Sequence, residues 1–342
     1  MKYIARAPLR LGLAGGGTDV SPYCDLYGGN VLNATIDRYA YSQIKILKEK
    51  KYIFHSLDRD IRYEFVFDKI TIPNSNKLIL HEAVLSFFKK NYKQIDDIGI
   101  ELTTFCDAPI GSGLGSSSTI VVTMIRAFVE MLNLPFDDYA IANLAYKIER
   151  KDCSLDGGRQ DHYSATFGGF NFMEFSKDEK VIVNPLRIKN WIICELESSL
   201  LLFSTNISRE SSKIIAEQSQ NVKSKKNEQL DSMHELKKEA IKFKESLLKG
   251  DFDEIVRTLR KGWESKKKSA KSVSNSYMDE IYNCAINSGA LAGKVSGAGG
   301  GGFMMFYVPF NKRINLINGL KKYDGNVSNC HFTNQGCQAW YC

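Results

Sequence analysis

A chain of 342 residues exceeds the size at which one hydrophobic core usually stops growing, so two domains are expected. Its 43% hydrophobic and 25% charged residues are those of an ordinary globular protein, and no run of 18 apolar residues suits a membrane span. The net charge of +7 is concentrated between Glu210 and Lys271, where 16 Lys/Arg face 11 Asp/Glu; the interleaved acids and scarce aromatics argue for solvated helix faces and against a nucleic-acid partner.

The N-terminus, MKYIARAPLRLGLAGGG, has no secretory apolar region or cleavage site, which points to a cytoplasmic protein. Eight scattered cysteines never form C-x-x-C and mostly lie in apolar surroundings, the pattern of free thiols and not of a zinc site.

Residues 2–14 read as a strand that breaks at Pro8 and ends in Gly15-Gly16-Gly17-Thr18-Asp19. Such a turn brings backbone and one carboxylate against a ligand; Asp19 reads equally as the cap of a helix beginning in DVSPYCDLYGG. Residues 30–47, 52–55 and 62–67 alternate and are rich in β-branched and aromatic side chains, predicting an antiparallel sheet. An amphipathic helix follows over 77–92, with His81 an ordinary helix-face residue, and then a strand over 98–106.

Residues 137–151 read as a helix with acids at its start and bases at its end, Glu149 among its last residues. The connection 153–175 sets Asp156, Arg159, Asp161 and His162 among glycines ahead of a strand at 169–175; turn formation and ligand contact both remain open for its carboxylates. From Trp191 a strand-like stretch leads into Lys/Glu-rich helices over 208–271 and a helix over 276–288. A glycine-rich turn at 296–302 feeds another strand, and residues 311–342 read as helix then strand. The change of character divides the chain into 1–190 and 191–342.

The stretch with the clearest chemistry is PIGSGLGSSS, residues 109–118, between the strand at 98–106 and an apolar-periodic helix at 119–132. Strand, Gly/Ser loop and helix start in that order make an anion site: glycines admit close backbone approach, and the free N–H groups and positive dipole end of the helix face the charge. Ser116, Ser117 and Ser118 add hydroxyls suited to phosphate or magnesium. No Lys precedes a Ser/Thr, which excludes a G-x-x-x-x-G-K-[ST] loop, and Ser116 breaks G-x-G-x-x-G.

Three glycine-rich segments, Ala7 to Asp19, 109–118 and KVSGAGGGGF at 294–303, together resemble the motifs of the GHMP kinases from end to end of the chain. Gly15-Gly16-Gly17 stands where galactokinase and mevalonate kinase carry Gly-Glu-His, and with RQDHY (159–163) and FGGFNFMEF (167–175) it resembles the branch that phosphorylates the anomeric hydroxyl of heptose 7-phosphate or fucose, its heptose members in preference. The resemblance implies an α+β, two-domain GHMP kinase fold: a ribosomal protein S5 domain 2-like N-terminal domain and a ferredoxin-like C-terminal domain. It implies ATP and Mg²⁺, a small sugar or sugar phosphate as acceptor, and a place in the supply of nucleotide-activated sugars for surface polysaccharide. Neither a membrane nor an oligomeric state is implied. A non-catalytic sugar-binding regulator on the same fold is the rival, and it predicts loss of residues that this chain retains.

By the same resemblance Asp161 is the catalytic base, with Arg10 beside it. Pro109, Gly111, Ser112, Gly113, Leu114, Gly115, Ser116, Ser117 and Ser118 hold the nucleotide phosphates, and Ser117 with Glu149 holds the metal. Gly16, Gly17, Thr18, Asp19, Gly299 and Gly300 contact the sugar. A phosphate already on the sugar needs a basic pocket, for which Arg159, Lys151 and Lys271 are candidates. A carboxylate within reach of the hydroxyl accepts its proton, and the arginine offsets charge on the transferring group.

Overall fold

The computed structural model describes residues 1–66, 78–109, 111–207, 211–224 and 227–342. The expectations that touch Phe67, Lys77, Ile110, 208–210 and 225–226 lie outside the described residues.

The first sheet is built on a long hairpin of β1 (Lys2–Ala14) and β2 (Gly29–Leu47), whose connection carries the short helix α1 (Tyr23–Tyr27). Pro8 does not break β1. The strand absorbs it in a register shift between Pro8 and Arg10, as a residue without an N–H must be absorbed in a ladder. At 19 residues β2 is long enough for two further partners. Its second half pairs with β5 (Gly99–Cys106) and its first half with β6 (Phe170–Phe175), both antiparallel. Outside β5 lie β3 (Lys51–Ser56), parallel to it, and β4 (Ile61–Val66); β7 (Val181–Pro185) pairs with β6.

Helix α3 (Ser116–Leu132) packs directly on β1 and β2, and α2 (Ile79–Asn91) and α4 (Asp138–Tyr146) join the same apolar core. Twelve of the 17 residues of α3 are buried, so it is a core helix, and its Phe128 stacks on Phe88 of α2 with ring centroids 4.5 Å apart. His81 on α2 is buried, hydrogen-bonded to Thr104 at 2.9 Å and pushed down to about 3 by burial. The Asp137 side chain caps α4 through the Ala140 N–H at 2.7 Å.

Two segments expected as loop or strand are helical. Residues Gln160–Phe167 form α5, nearly all buried, so no polar face marks the helical period, and flanking glycine pairs make the stretch read as a connection. Residues Asn190–Ser199 form α6, which buries Ile192, Leu196 and Ser199 at helical spacing before β8 (Leu200–Ser204) begins.

The second half follows with α7 (Ser211–Lys223), α8 (Asn227–Lys249), α9 (Phe252–Ser269), α10 (Ser276–Asn287), β9 (Ala292–Val295), β10 (Phe303–Tyr307), α11 (Arg313–Leu320), β11 (Asn326–Asn329) and β12 (Gln338–Tyr341). Its sheet is antiparallel in the order β11-β8-β10-β9. Alternation along β8 serves two cores: Leu200 and Leu202 join the apolar interior of the first sheet, while Leu201 and Phe203 join Trp263, Ile281 and Leu316 on the other side. Ala240, Phe243 and Leu247 of α8 also enter the first core, and β12 returns to pair with β1. The two halves therefore share an apolar seam, and the groove beside that seam holds the polar site. All eight cysteines are free. No helix among the described residues is long and apolar enough to cross a membrane.

Candidate active site

A cavity of about 410 Å³ opens where β1, the loop ahead of α3, the start of α5 and helices α7 and α9 converge. Two of the glycine segments close against each other at its wall. Gly113 sits at φ +77, and a Cβ there would fall 2.4 Å from the Ser296 carbonyl oxygen, so only glycine lets the loops meet. Helix α3 starts directly on Gly115, which is left-handed and contributes no capping side chain. The first-turn N–H groups thus stay available for an anionic ligand.

Arg10 reaches this junction from the irregular part of β1. Its Nε and Nη2 each lie 2.7 Å from Oδ1 of Asp161, and Nη1 donates to the Gly113 carbonyl at 2.6 Å and to Ser296 Oγ at 3.3 Å. One guanidinium therefore ties three segments together, and the fixed fork suits arginine better than lysine. Oδ2 of Asp161 has no hydrogen-bond partner among the described residues, and the carboxylate lines the cavity.

Glu149 sits in a wide π-type turn, Lys147–Asp152, that ends α4; such turns redirect side chains. It is 1% exposed, and its Oε1 accepts from Ser117 Oγ at 2.6 Å. Its Oε2 accepts from Ser118 Oγ at 2.6 Å and contacts His162 Nε2 at 2.6 Å. Burial works against its charge, but Arg150 and the bonds from His162 and Ser117 outweigh it and hold the carboxyl well below the usual range. Ser117 and Glu149 thus present a hydroxyl and an ionised carboxylate side by side. This all-oxygen pair fits Mg²⁺, which takes few protein ligands and completes its shell with phosphates and water.

The first glycine segment forms the opposite wall. Asp19 does not cap α1: the helix begins after Pro22, and the Asp19 carboxylate instead accepts from Gln160 N at 3.0 Å, Gln160 Nε2 at 3.1 Å and Gly17 N at 3.2 Å. A Cβ on Gly158 would lie 2.0 Å from Asp19 Oδ2, so the second of the two glycines before α5 is what lets this carboxylate approach. Thr18 is fully buried and braces the turn through the carbonyls of Gly15 at 2.8 Å and Asn30 at 2.9 Å.

Several expected residues stand apart from the cavity. Lys151 is turned outward and pairs with Glu179 at 2.7 Å; the Lys271 backbone N–H bonds to Glu217, and neither lysine lines the cavity. Arg159 is 3% exposed, pairs with Asp25 at 3.1 Å and lies over the Tyr146 ring, also off the cavity wall. Gly299 and Gly300 pack on Val273, so the third motif lines the cavity through Gly297 and Ala298 instead.

Sequence reasoning missed two cations that do line it. Arg150 reaches Ser118 Oγ at 3.1 Å and the Asp156 carbonyl at 3.2 Å, crossing over Gly157. Lys266, which falls in the charged stretch expected to form solvated helix faces, is 2% exposed and donates to the Gly16 carbonyl at 2.9 Å. The signal for it was present: Ile255, Leu259, Trp263 and Lys266 fall on one buried stripe of α9.

The family model described as GHMP kinases N terminal domain matches residues 79–169, and the one described as GHMP kinases C terminal matches residues 243–324. A D-glycero-alpha-D-manno-heptose 7-phosphate kinase from Campylobacter jejuni is 47% identical over 98% of each chain. The crystal structure of a D-glycero-D-manno-heptose 1-phosphate kinase from Bacteriodes thetaiotaomicron superposes with a TM-score of 0.83 at 40% identity, covering 99% of each chain. An L-fucokinase/L-fucose-1-P guanylyltransferase from Bacteroides fragilis is 26% identical over 87% of this chain and 34% of its own length.

Proposed function

The chain belongs to the GHMP kinases, and we propose that it transfers the terminal phosphoryl group of ATP to the C1 hydroxyl of D-glycero-D-manno-heptose 7-phosphate, giving the 1,7-bisphosphate and ADP. The observation that carries the reading is Asp161, clamped through one oxygen by Arg10 and facing the same cavity as the Gly113–Ser118 helix start. The heptose acceptor rests on the 47% identical relative; the fucose-acting one is only 26% identical.

In this site the loop amides and α3 N–H groups hold the nucleotide's phosphates, leaving the terminal group toward Asp161. Oδ2 of Asp161 accepts the proton of the attacking C1 hydroxyl as its oxygen forms the new bond to phosphorus and the bond to the ADP oxygen breaks. Arg10 keeps that carboxylate aimed and places positive charge beside the transferring group. Ser117 and Glu149 would hold Mg²⁺, which when bound neutralises charge on the phosphates. Arg150, next to Ser118, adds a fixed cation on the same side.

The test is an ADP-release assay with heptose 7-phosphate, fucose, mannose and galactose side by side. Heptose 7-phosphate is expected to give the highest kcat/KM by at least tenfold. Turnover of fucose at an equal or higher kcat/KM would move the assignment to the fucose-kinase side of the family.

A further inference from the structure

Lys266 has no place in the chemistry described so far, yet it is the most deeply buried ammonium on the cavity wall. An ammonium has three donors, and only one is used, on the Gly16 carbonyl at 2.9 Å. The other two have no partner among the described residues. Its Nζ lies 3.7 Å from where a Cβ on Gly16 or on Gly17 would stand, so the glycines of the first motif clear the space around it. Gln160, which braces Asp19 through Nε2, also lines the cavity and keeps Oε1 buried without a partner among the described residues. A buried cation and a buried amide oxygen with unused capacity, both on one wall, are costly unless a polar ligand completes them.

We propose that Lys266 binds the sugar acceptor, its ammonium anchored on Gly16 and its two remaining hydrogens donated to acceptor oxygens seated between the Gly15–Asp19 turn and Asp161. Gln160 Oε1 accepts from a hydroxyl of the same sugar. Burial and the nearby Arg10 push Lys266 down to about 8, while Asp19 and Asp161 draw it back up. The ligand is a polyhydroxylated acceptor and not the nucleotide, because Lys266 is tied to the first motif while the serines of the phosphate loop are tied to Glu149 and Arg150. This inference rests on the sugar-kinase reading above.

The experiment compares wild type with Lys266→Met and Lys266→Gln, using heptose 7-phosphate and ATP in separate titrations. Activity of the wild type tests the kinase reading alone. Given that activity, Lys266→Met is expected to raise KM for the sugar on the order of tenfold to a hundredfold, the loss of charge-assisted hydrogen bonds, with KM for ATP within about twofold. Lys266→Gln, which keeps a donor, is expected to recover part of that loss. Binding of a fluorescent ADP analogue reports folding independently. An unchanged sugar KM, or a rise confined to ATP, overturns the proposal. So does loss of ADP binding in Lys266→Gln, which would make the lysine a structural prop.

Discussion

Arg10 and Asp161 stand 151 residues apart in the chain, and both Nε and Nη2 of the arginine lie 2.7 Å from the same carboxylate oxygen, Oδ1. The asymmetry matters: the clamp uses one oxygen and leaves Oδ2, without a partner among the described residues, for the base role proposed above. Nη1 of the same arginine reaches the Gly113 carbonyl and the Ser296 hydroxyl, so the proposed base is referenced to two loops at once.

Asp161→Asn keeps the shape and removes the basicity. kcat is expected to fall on the order of 10³-fold, within the range general bases contribute, while thermal stability changes by only a few degrees. A steady-state assay paired with a melting curve checks this. Near-normal turnover would mean that proton transfer does not depend on this carboxylate.

Glu149→Gln removes the charge beside Ser117. The Mg²⁺ concentration for half-maximal ADP binding is expected to rise about tenfold or more, whereas Ser118→Ala, which loses one bond to Oε2, should shift it far less. Titration of Mg²⁺ into protein with a fluorescent ADP analogue reads this without turnover. Equal shifts in the two variants would assign Glu149 to structure alone.

Gly113→Ala forces a side chain at φ +77 into the space held by the Ser296 carbonyl. The expected outcome is a loss of roughly 1–3 kcal/mol in stability from backbone strain, with weaker nucleotide binding because the two loops part. Urea unfolding and ATP titration of the variant measure both. Wild-type behaviour in each would show that the loops tolerate separation.

Lys294 is buried on β9, bonded to the Leu13 carbonyl at 3.2 Å, and burial with the nearby Lys266 and Arg10 pushes it down to about 7. Between that value and the unfolded lysine value near 10.5, the unfolded chain binds the extra proton, so stability should rise with pH through this window. Lys294→Met abolishes that contribution. Melting temperatures of both proteins at pH 7.5 and 9.5 should therefore converge, or cross, in favour of wild type at the higher pH. Parallel curves would place the lysine's ionisation outside folding.

Sequence alone determined the Gly/Ser loop between a strand and a core helix, and most of the elements around it. Apolar periodicity on either side of the Gly/Ser stretch exposes the strand before it and the helix after it. Ser117, Glu149 and Asp161 stood out only through their places in family-like motifs, because by residue type alone the two carboxylates read equally well as turn formers or helix-end residues. The helix that carries Asp161 was not legible, because α5 is buried on nearly every side and shows no polar face. Only the tertiary structure decided which charges face the cavity. Lys151 and Lys266 look alike as letters in charged helical stretches, yet one meets Glu179 in solvent and the other lies 2% exposed against Gly16. The apolar stripe of α9 turns Lys266 inward, but how deeply it is buried and what it meets depend on a segment 250 residues away, which the local pattern does not specify.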